Sequence, residues 1–325
     1  MSLVTPVTIA NRKGYQLFGM LHEPKERNRN PAIVLLSPGI KSRVAPHRLY
    51  VKMTKLFCEM GYIVLRFDPE GLGDSEGEID ERLASDVYGS VELGRHVNDT
   101  IDVMNWMQTN LGINRFILSG LCGGAITGLL AGSIDKRVES LLGLGMTCVV
   151  SGSKADHDAY MTQGQLDSLR KSYLQKIADP ASIIRLLTFR TNYRLMIKSL
   201  AQPMTRWLKS GRKQAVKAET EATSKESPQS NLSPYFPEAF LGFLRDRNIL
   251  LVFSGEDRLY WEYEEKFMTR YREQVAKYSS NLTIDIIKSA NHIFSFTEWQ
   301  NEMLAIAASW LARNDGQIKE TTNPR

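Results

Sequence analysis

Short apolar, β-branched runs alternate along much of the chain with longer stretches whose hydrophobic residues recur every three or four positions. That rhythm is the one expected of βαβ units around a mainly parallel sheet. Residues 17–22 and 31–37 (PAIVLLS) predict strands, 47–60 a helix, 62–67 (YIVLRF) a buried strand and 84–111 one long helix. Strand 115–119 (RFILS), helix 123–133 and strand 138–145 follow. From about 150 to 232 no strand-like run occurs; the pattern is helical and ends in KAETEATSKESPQSNLSP, a polar stretch expected to be mobile. The rhythm then returns with helix 235–246, strand 249–254 (ILLVFS), helix 260–278, strand 282–287 (LTIDII) and helix 296–312. The expected organisation is a core built from 1–149 and 233–325, with a mainly parallel central sheet flanked by helices. A basic helical cap over 150–232 interrupts it.

Composition narrows the class. The 325 residues are 42% hydrophobic and 24% charged, with 12 Pro and 3 Cys, which excludes collagen-like, disordered and disulfide-dense chains. Cys58, Cys122 and Cys148 form no C-x-x-C pair, so neither a disulfide framework nor a zinc site is readable and no metal or other cofactor is expected. The start, MSLVTPVTIANRKGYQ, has no basic segment followed by an apolar stretch, and no run reaches the roughly 18 apolar residues of a membrane span. The expectation is a soluble protein of the reducing cytoplasm.

The net charge of +5 conceals an asymmetry. Nine basic side chains and no acid lie between 180 and 218, whereas eight acids and one base lie between 68 and 86. A nucleic-acid binder would more often spread basic charge over the main domain, so no nucleic-acid partner is expected. Within 150–232, Leu186, Phe189, Tyr193, Met196, Ile197 and Leu200 share helical spacing, with Arg190, Arg194 and Lys198 on another face. That face reads either as the solvated side of a lid helix or as one drawn to anionic lipid or an anionic ligand.

The most informative segment is Ser119-Gly120-Leu121-Cys122-Gly123-Gly124-Ala125, where a predicted buried strand runs directly into a predicted helix. A nucleophile on such a turn sits in strained backbone, and residues larger than glycine two positions to either side would collide with the neighbouring elements. The helix N-terminus behind it favours the thiolate form. Cys58, within a helix, and Cys148, just after a strand, read as small buried hydrophobes. A nucleophile needs a base, and the base an orienting group. Of the five histidines, His22, His47 and His96 precede Cys122 and His157 lies in the cap segment. His292 follows the last strand, on a loop that can reach the carboxyl edge of the sheet. Asp257, on the loop after strand 249–254, is the expected acid, with Glu256 in reserve. The expected oxyanion donors are the Gly123 N–H and the Ile40 N–H, the latter on the loop Ser37-Pro38-Gly39-Ile40-Lys41. Gly71-Leu72-Gly73-Asp74-Ser75-Glu76-Gly77 fails the G-x-G-x-x-G test at Glu76 and carries acids that would repel phosphate, so it reads as a structural turn at the sheet edge.

Together these residues resemble the α/β-hydrolase superfamily over nearly the whole chain. The likeness lies in the strand and helix order, in G-x-C-x-G at 120–124 where G-x-S-x-G is usual, and in the chain order nucleophile, acid, histidine. It extends to RFDPEGLGDSEG (66–77), similar to the family's loop after its fourth strand. Pro38-Gly39 stands where many members have His-Gly. The cysteine elbow and YLQKIADPASIIRLLTFRTNYRLMIKSL (173–200) are similar to the exosortase A system-associated hydrolases and related serine aminopeptidase-like members. Dienelactone hydrolases resemble the chain in nucleophile type, though they generally lack so large an insertion. The resemblance implies an α/β-hydrolase fold with Cys122 as nucleophile, Asp257 as acid and His292 as base. Cysteine in place of serine counts against general lipase or amidase activity and suits activated acyl groups, whether free or bound to a carrier or coenzyme A. The expected chemistry is acyl hydrolysis through a thioester. Acyl transfer to an amine or alcohol, and an inactive binding or membrane-edge module, are the rival readings.

Overall fold

In a computed structural model of the chain, residues 2–27, 31–151 and 231–321 are described, with side chains as far as 314. Almost all of the expected cap, including His157, Arg190, Arg194 and Lys198, lies outside the described residues.

Eight strands form one sheet in the order β1-β2-β4-β3-β5-β6-β7-β8. They are β1 (Leu3–Ala10), β2 (Gln16–Glu23), β3 (Ala32–Leu36), β4 (Val64–Phe67), β5 (Phe116–Leu121), β6 (Val138–Leu144), β7 (Asn248–Ser254) and β8 (Leu282–Ile287). From β4 through β3 to β8 every pairing is parallel; only β1 with β2 and β2 with β4 run antiparallel. Every residue of β3, β4 and β5 is buried. Such continuously apolar strands follow from helices covering both faces. On one face, α1 (Leu49–Glu59) and α8 (Thr297–Thr321) cover a cluster that includes Ile33, Leu35, Tyr50, Phe57, Leu142, Val252 and Trp310. On the other, α3 (Val97–Leu111), α4 (Gly123–Ile134) and α5 (Phe236–Leu244) cover a second cluster with Leu36, Phe116, Leu118, Leu129, Phe240 and Phe253.

Three features differ from the sequence expectation. The strand β1 carries no alternating apolar pattern and contains Pro6, which has no N–H to donate; both properties are tolerated because β1 is an edge. The helix expected over 84–111 is two helices, α2 (Ala84–Glu92) and α3, because the chain turns at Gly94 with φ 102°. The helix expected over 260–278 is α6 (Arg258–Glu262), a π-helical stretch Tyr263–Met268 and α7 (Thr269–Ala276). In the π-helical stretch Phe267 packs edge-on against Phe236 and Phe240 of α5, at centroid distances of 4.9 and 5.1 Å.

Two element boundaries also move. The α1 helix begins at Leu49 rather than 47, after His47 and Arg48 adopt positive φ, and α8 runs past 312. The loop 68–77 is a structural turn, as expected, but follows β4 in the sheet interior. Its Gly73 has φ 55°, and a Cβ there would meet the Asp68 carboxylate at 2.1 Å. The chain leaves the core after Val149 and returns at Leu232, the two joined by an antiparallel bridge flanked by Val150 N–H to Asn231 C=O at 2.8 Å.

Candidate active site

Parallel pairing of β3, β5, β6, β7 and β8 puts the carboxyl ends of these strands along one edge. The segments carrying Ile40, Cys122, Asp257 and His292 all follow such ends. Side chains far apart in sequence are thereby gathered by topology.

Cys122 occupies the turn between β5 and α4 with φ 54° and ψ −114°, a conformation that costs about 1–3 kcal/mol in a non-glycine residue. Its N–H donates to the Leu144 C=O at 2.8 Å, and its own C=O accepts from the Ala125 N–H at 2.9 Å. The flanking glycines let the turn close: a Cβ on Gly120 would stand 2.4 Å from the Gly124 carbonyl carbon, and one on Gly124 only 2.3 Å from the Leu36 oxygen. The thiol is half-buried, whereas Cys58 and Cys148 are buried. Burial, with Glu59 adding, pushes the Cys58 thiol up to about 11, and burial likewise pushes Cys148 up.

His292 Nδ1 lies 2.5 Å from Asp257 Oδ2, and the ring is also hydrogen-bonded to the Cys122 side chain. With Nδ1 engaged by the carboxylate, Nε2 is the nitrogen left for sulfur. Burial draws the imidazole pKa down, but the hydrogen bonds from Asp257 and Cys122 outweigh it and raise it to about 10. Asp257 is 7% exposed, and its other oxygen caps α6 by accepting from the Leu259 N–H at 3.3 Å. The aspartate is thus fixed from two sides. Glu256 is exposed and has no bond to the ring, so of the two carboxylates Asp257 is the one that meets His292. Gly145, at the end of β6 with φ 49°, leaves room beside the pair; a Cβ there would stand 3.5 Å from His292 Nδ1.

The loop after β3 approaches the elbow from the other side. A Cβ on Gly123 would lie 2.8 Å from the Gly39 Cα, so the two backbones are nearly in contact. Lys41 N–H closes a turn onto the Pro38 C=O at 3.1 Å. Among the described residues no acceptor takes the Ile40 or Gly123 N–H. Of the remaining histidines, His22 accepts from Arg66 Nε at 3.2 Å and is drawn down to about 4 by burial and by Arg66. His96 is buried between α2 and α3, and His47 is exposed. Among the described residues no group of three or more His, Cys, Asp or Glu side chains is gathered for a metal.

Three neighbours were not singled out in the sequence. Asp68, fully buried, accepts from the Arg43 N–H at 2.5 Å and pairs with the Arg43 guanidinium, tying the loop after β4 to the loop after β3. Tyr88 on α2 lays its ring on Gly39 and is held above the usual phenol range by burial, then by Cys122 and Glu92. Tyr50 on α1 is fully buried against the elbow. Asp68 was hidden in an acidic stretch, and each tyrosine reads as one more apolar position of an amphipathic helix.

No family model matches the chain. An uncharacterised Pseudomonas aeruginosa protein, PA2218, is 30% identical over 165 residues, covering 50% of this chain and 40% of that one. A Penicillium polyketide transferase, grgF, is 28% identical over 188 residues, covering 52% and 56%. The matched stretches thus span less than two thirds of either relative. Among solved structures, the Pyrococcus furiosus esterase Pf2001 superposes with a TM-score of 0.56 at 15% identity, covering 96% of this chain and 91% of the other. A putative α/β hydrolase of unknown function from Agrobacterium tumefaciens gives 0.52 at 14% identity, covering 96% and 97%. The fold is the α/β-hydrolase fold.

Proposed function

We propose that the protein is an acyl-transferring enzyme that works through a covalent thioester on Cys122, with His292 as base, Asp257 as the group that orients it, and the Gly123 and Ile40 amides as oxyanion donors. The observation that carries this reading is the continuous hydrogen-bonded line from carboxylate to imidazole to thiol at the carboxyl edge of the sheet. Asp257 accepts from Nδ1–H and holds one tautomer, so Nε2 takes the proton from Sγ. The thiolate attacks an acyl carbon, and negative charge gathers on the carbonyl oxygen between the two amides. On collapse the bond to the leaving group breaks and Nε2–H delivers its proton to that group, leaving an acyl thioester. Water, deprotonated by Nε2, then attacks the thioester and releases the acid together with the thiol. A strained turn suits the nucleophile because it lifts sulfur clear of both adjoining elements.

Sulfur narrows the substrate. A thiolate departs more readily than an alkoxide, so a tetrahedral adduct with a poor leaving group reverts to substrate, and thioesters, lactones and activated esters are favoured over amides. Hydrolysis is the first reading. Transfer to an amine or alcohol is the second, favoured by the name of the Penicillium relative. The two differ only in whether water or another acceptor reaches the thioester.

Selective alkylation separates an enzyme from an inactive binding module of the same fold. Iodoacetamide near neutral pH is expected to label Cys122 far faster than Cys58 or Cys148, and an activated acyl substrate is expected to protect it. Equal labelling of the three thiols, or labelling at Cys122 that no acyl compound slows, rejects the reading.

A further inference from the structure

The inference concerns how the two halves of the proposed site are kept in register, and it rests on the acyl-transfer reading above. Ala32 N–H donates to the Arg115 C=O beside the Ala32↔Phe116 pair, which sets the phase of the β3·β5 ladder. In a parallel pair every second residue of a strand bonds to the same neighbour, here Ala32, Val34 and Leu36. The last pair is Leu36↔Gly120, so the final rung brings the Leu36 C=O to the Leu121 N–H. Beyond it the strands part. Leu36 leads through Ser37, Pro38 and Gly39 to Ile40, and Leu121 is followed at once by Cys122.

The Tyr50 hydroxyl lies on this rung and is bonded to both of its groups. It accepts from the Leu121 N–H at 2.7 Å and donates to the Leu36 C=O at 2.7 Å. The side chain is 0% exposed and is delivered by α1 from the opposite helical layer. Packing alone would be served by phenylalanine, since a buried hydroxyl is costly unless both its roles are used. Here both are used, on the two strand ends from which the nucleophile and the oxyanion loop spring. The same Leu36 oxygen is the atom against which Gly124 closes, so the first turn of α4 leans on it as well. Burial and then the Leu121 hydrogen bond act in opposite senses on the phenol and leave its pKa raised, so the hydroxyl keeps its proton and remains a donor at working pH.

We infer that Tyr50 is a positioning residue, clasping the last β3·β5 rung so that the Ile40 and Gly123 amides stand at a fixed offset from the Cys122 sulfur. It touches no reacting atom. Its contribution is to the relation between the two halves, which matters for acyl transfer, where an oxyanion must be held. It does not matter for simple alkylation of sulfur, where no oxyanion forms.

That difference supplies the test. In wild type and Y50F, the rate of Cys122 acylation by p-nitrophenyl acetate is measured from the pre-steady-state burst. The rate of Cys122 alkylation by iodoacetamide is measured at the same pH. Misplacing a site by ~1 Å costs on the order of a hundredfold, so acylation should fall at least about tenfold while alkylation stays within about twofold. Should Y50F not be recovered folded, 4-fluorophenylalanine installed at 50 fills the hydroxyl's volume without serving as a comparable donor, and the same change in the ratio of the two rates is expected. Acylation at the wild-type rate overturns the inference; so does an equal fall in both rates, which would mark Tyr50 as a packing residue only. If wild-type Cys122 acquires no acyl group, or C122A turns over the ester equally well, the acyl-transfer reading itself fails and takes the positioning role with it.

Discussion

His292 is held between opposing influences: burial disfavours its charge, while Asp257 and Cys122 favour it and prevail. Its pKa is raised from 6.5 to about 10, so the stability it lends is complete below pH 6.5 and is lost as pH climbs through about 10. Wild-type melting temperature is therefore expected to fall more steeply between neutral pH and about 10 than that of His292→Asn, as read by scanning calorimetry. Parallel curves would contradict the ring's coupling to its two partners. Cys122, Asp257 and His292 were legible in sequence because each follows a strand end and because paired glycines mark the elbow. Tyr50, Tyr88 and Asp68 were not, since their importance lies in what their polar atoms touch, and hydrophobic spacing does not encode that. Pattern also could not choose between Glu256 and Asp257; burial and the α6 cap do.

At the scale of elements, the join between α2 and α3 illustrates how local preference and packing compete. Gly94 lets the chain turn, and the turn sinks His96 between the helices with neither ring nitrogen partnered among the described residues. Burial, then Arg95, draws its pKa down to about 3, against a weaker pull from Glu81. A buried neutral histidine of this kind costs stability as pH falls from 6.5 towards about 3, because the unfolded chain takes up a proton that the folded one refuses. His96→Leu is expected to raise unfolding free energy by about 1 kcal/mol or more, by removing unsatisfied polar atoms, and to flatten the acid limb of a urea-denaturation series. A loss of stability would mean that the nitrogens have partners. The same join explains why one helix was expected over 84–111: hydrophobic spacing runs on through the turn, and a single glycine is a weak stop signal. The missed β1 has the converse cause, since an edge strand needs no apolar face and can hold a proline.

Across the whole molecule, the sheet does the gathering. Alternation of short apolar runs with helical stretches was enough to anticipate a mainly parallel sheet with helices on both faces, because continuously buried strands require two covering layers. Which strand ends become neighbours is a matter of topology, and the order β3-β5-β6-β7-β8 brings the nucleophile, acid and histidine loops to one edge. Among the described residues no helix is long and apolar enough to cross a membrane. The paired stem at Val149 and Leu232 marks where the chain leaves this core and rejoins it. The account as a whole turns on one bond, between sulfur and an acyl carbon. Intact-protein mass spectrometry after exposure to a panel of activated esters and acyl thioesters measures it directly. The prediction is a single acyl mass on the wild-type chain, mapped to the peptide carrying Cys122 and missing from Cys122→Ala; the same adducts on both proteins would contradict it.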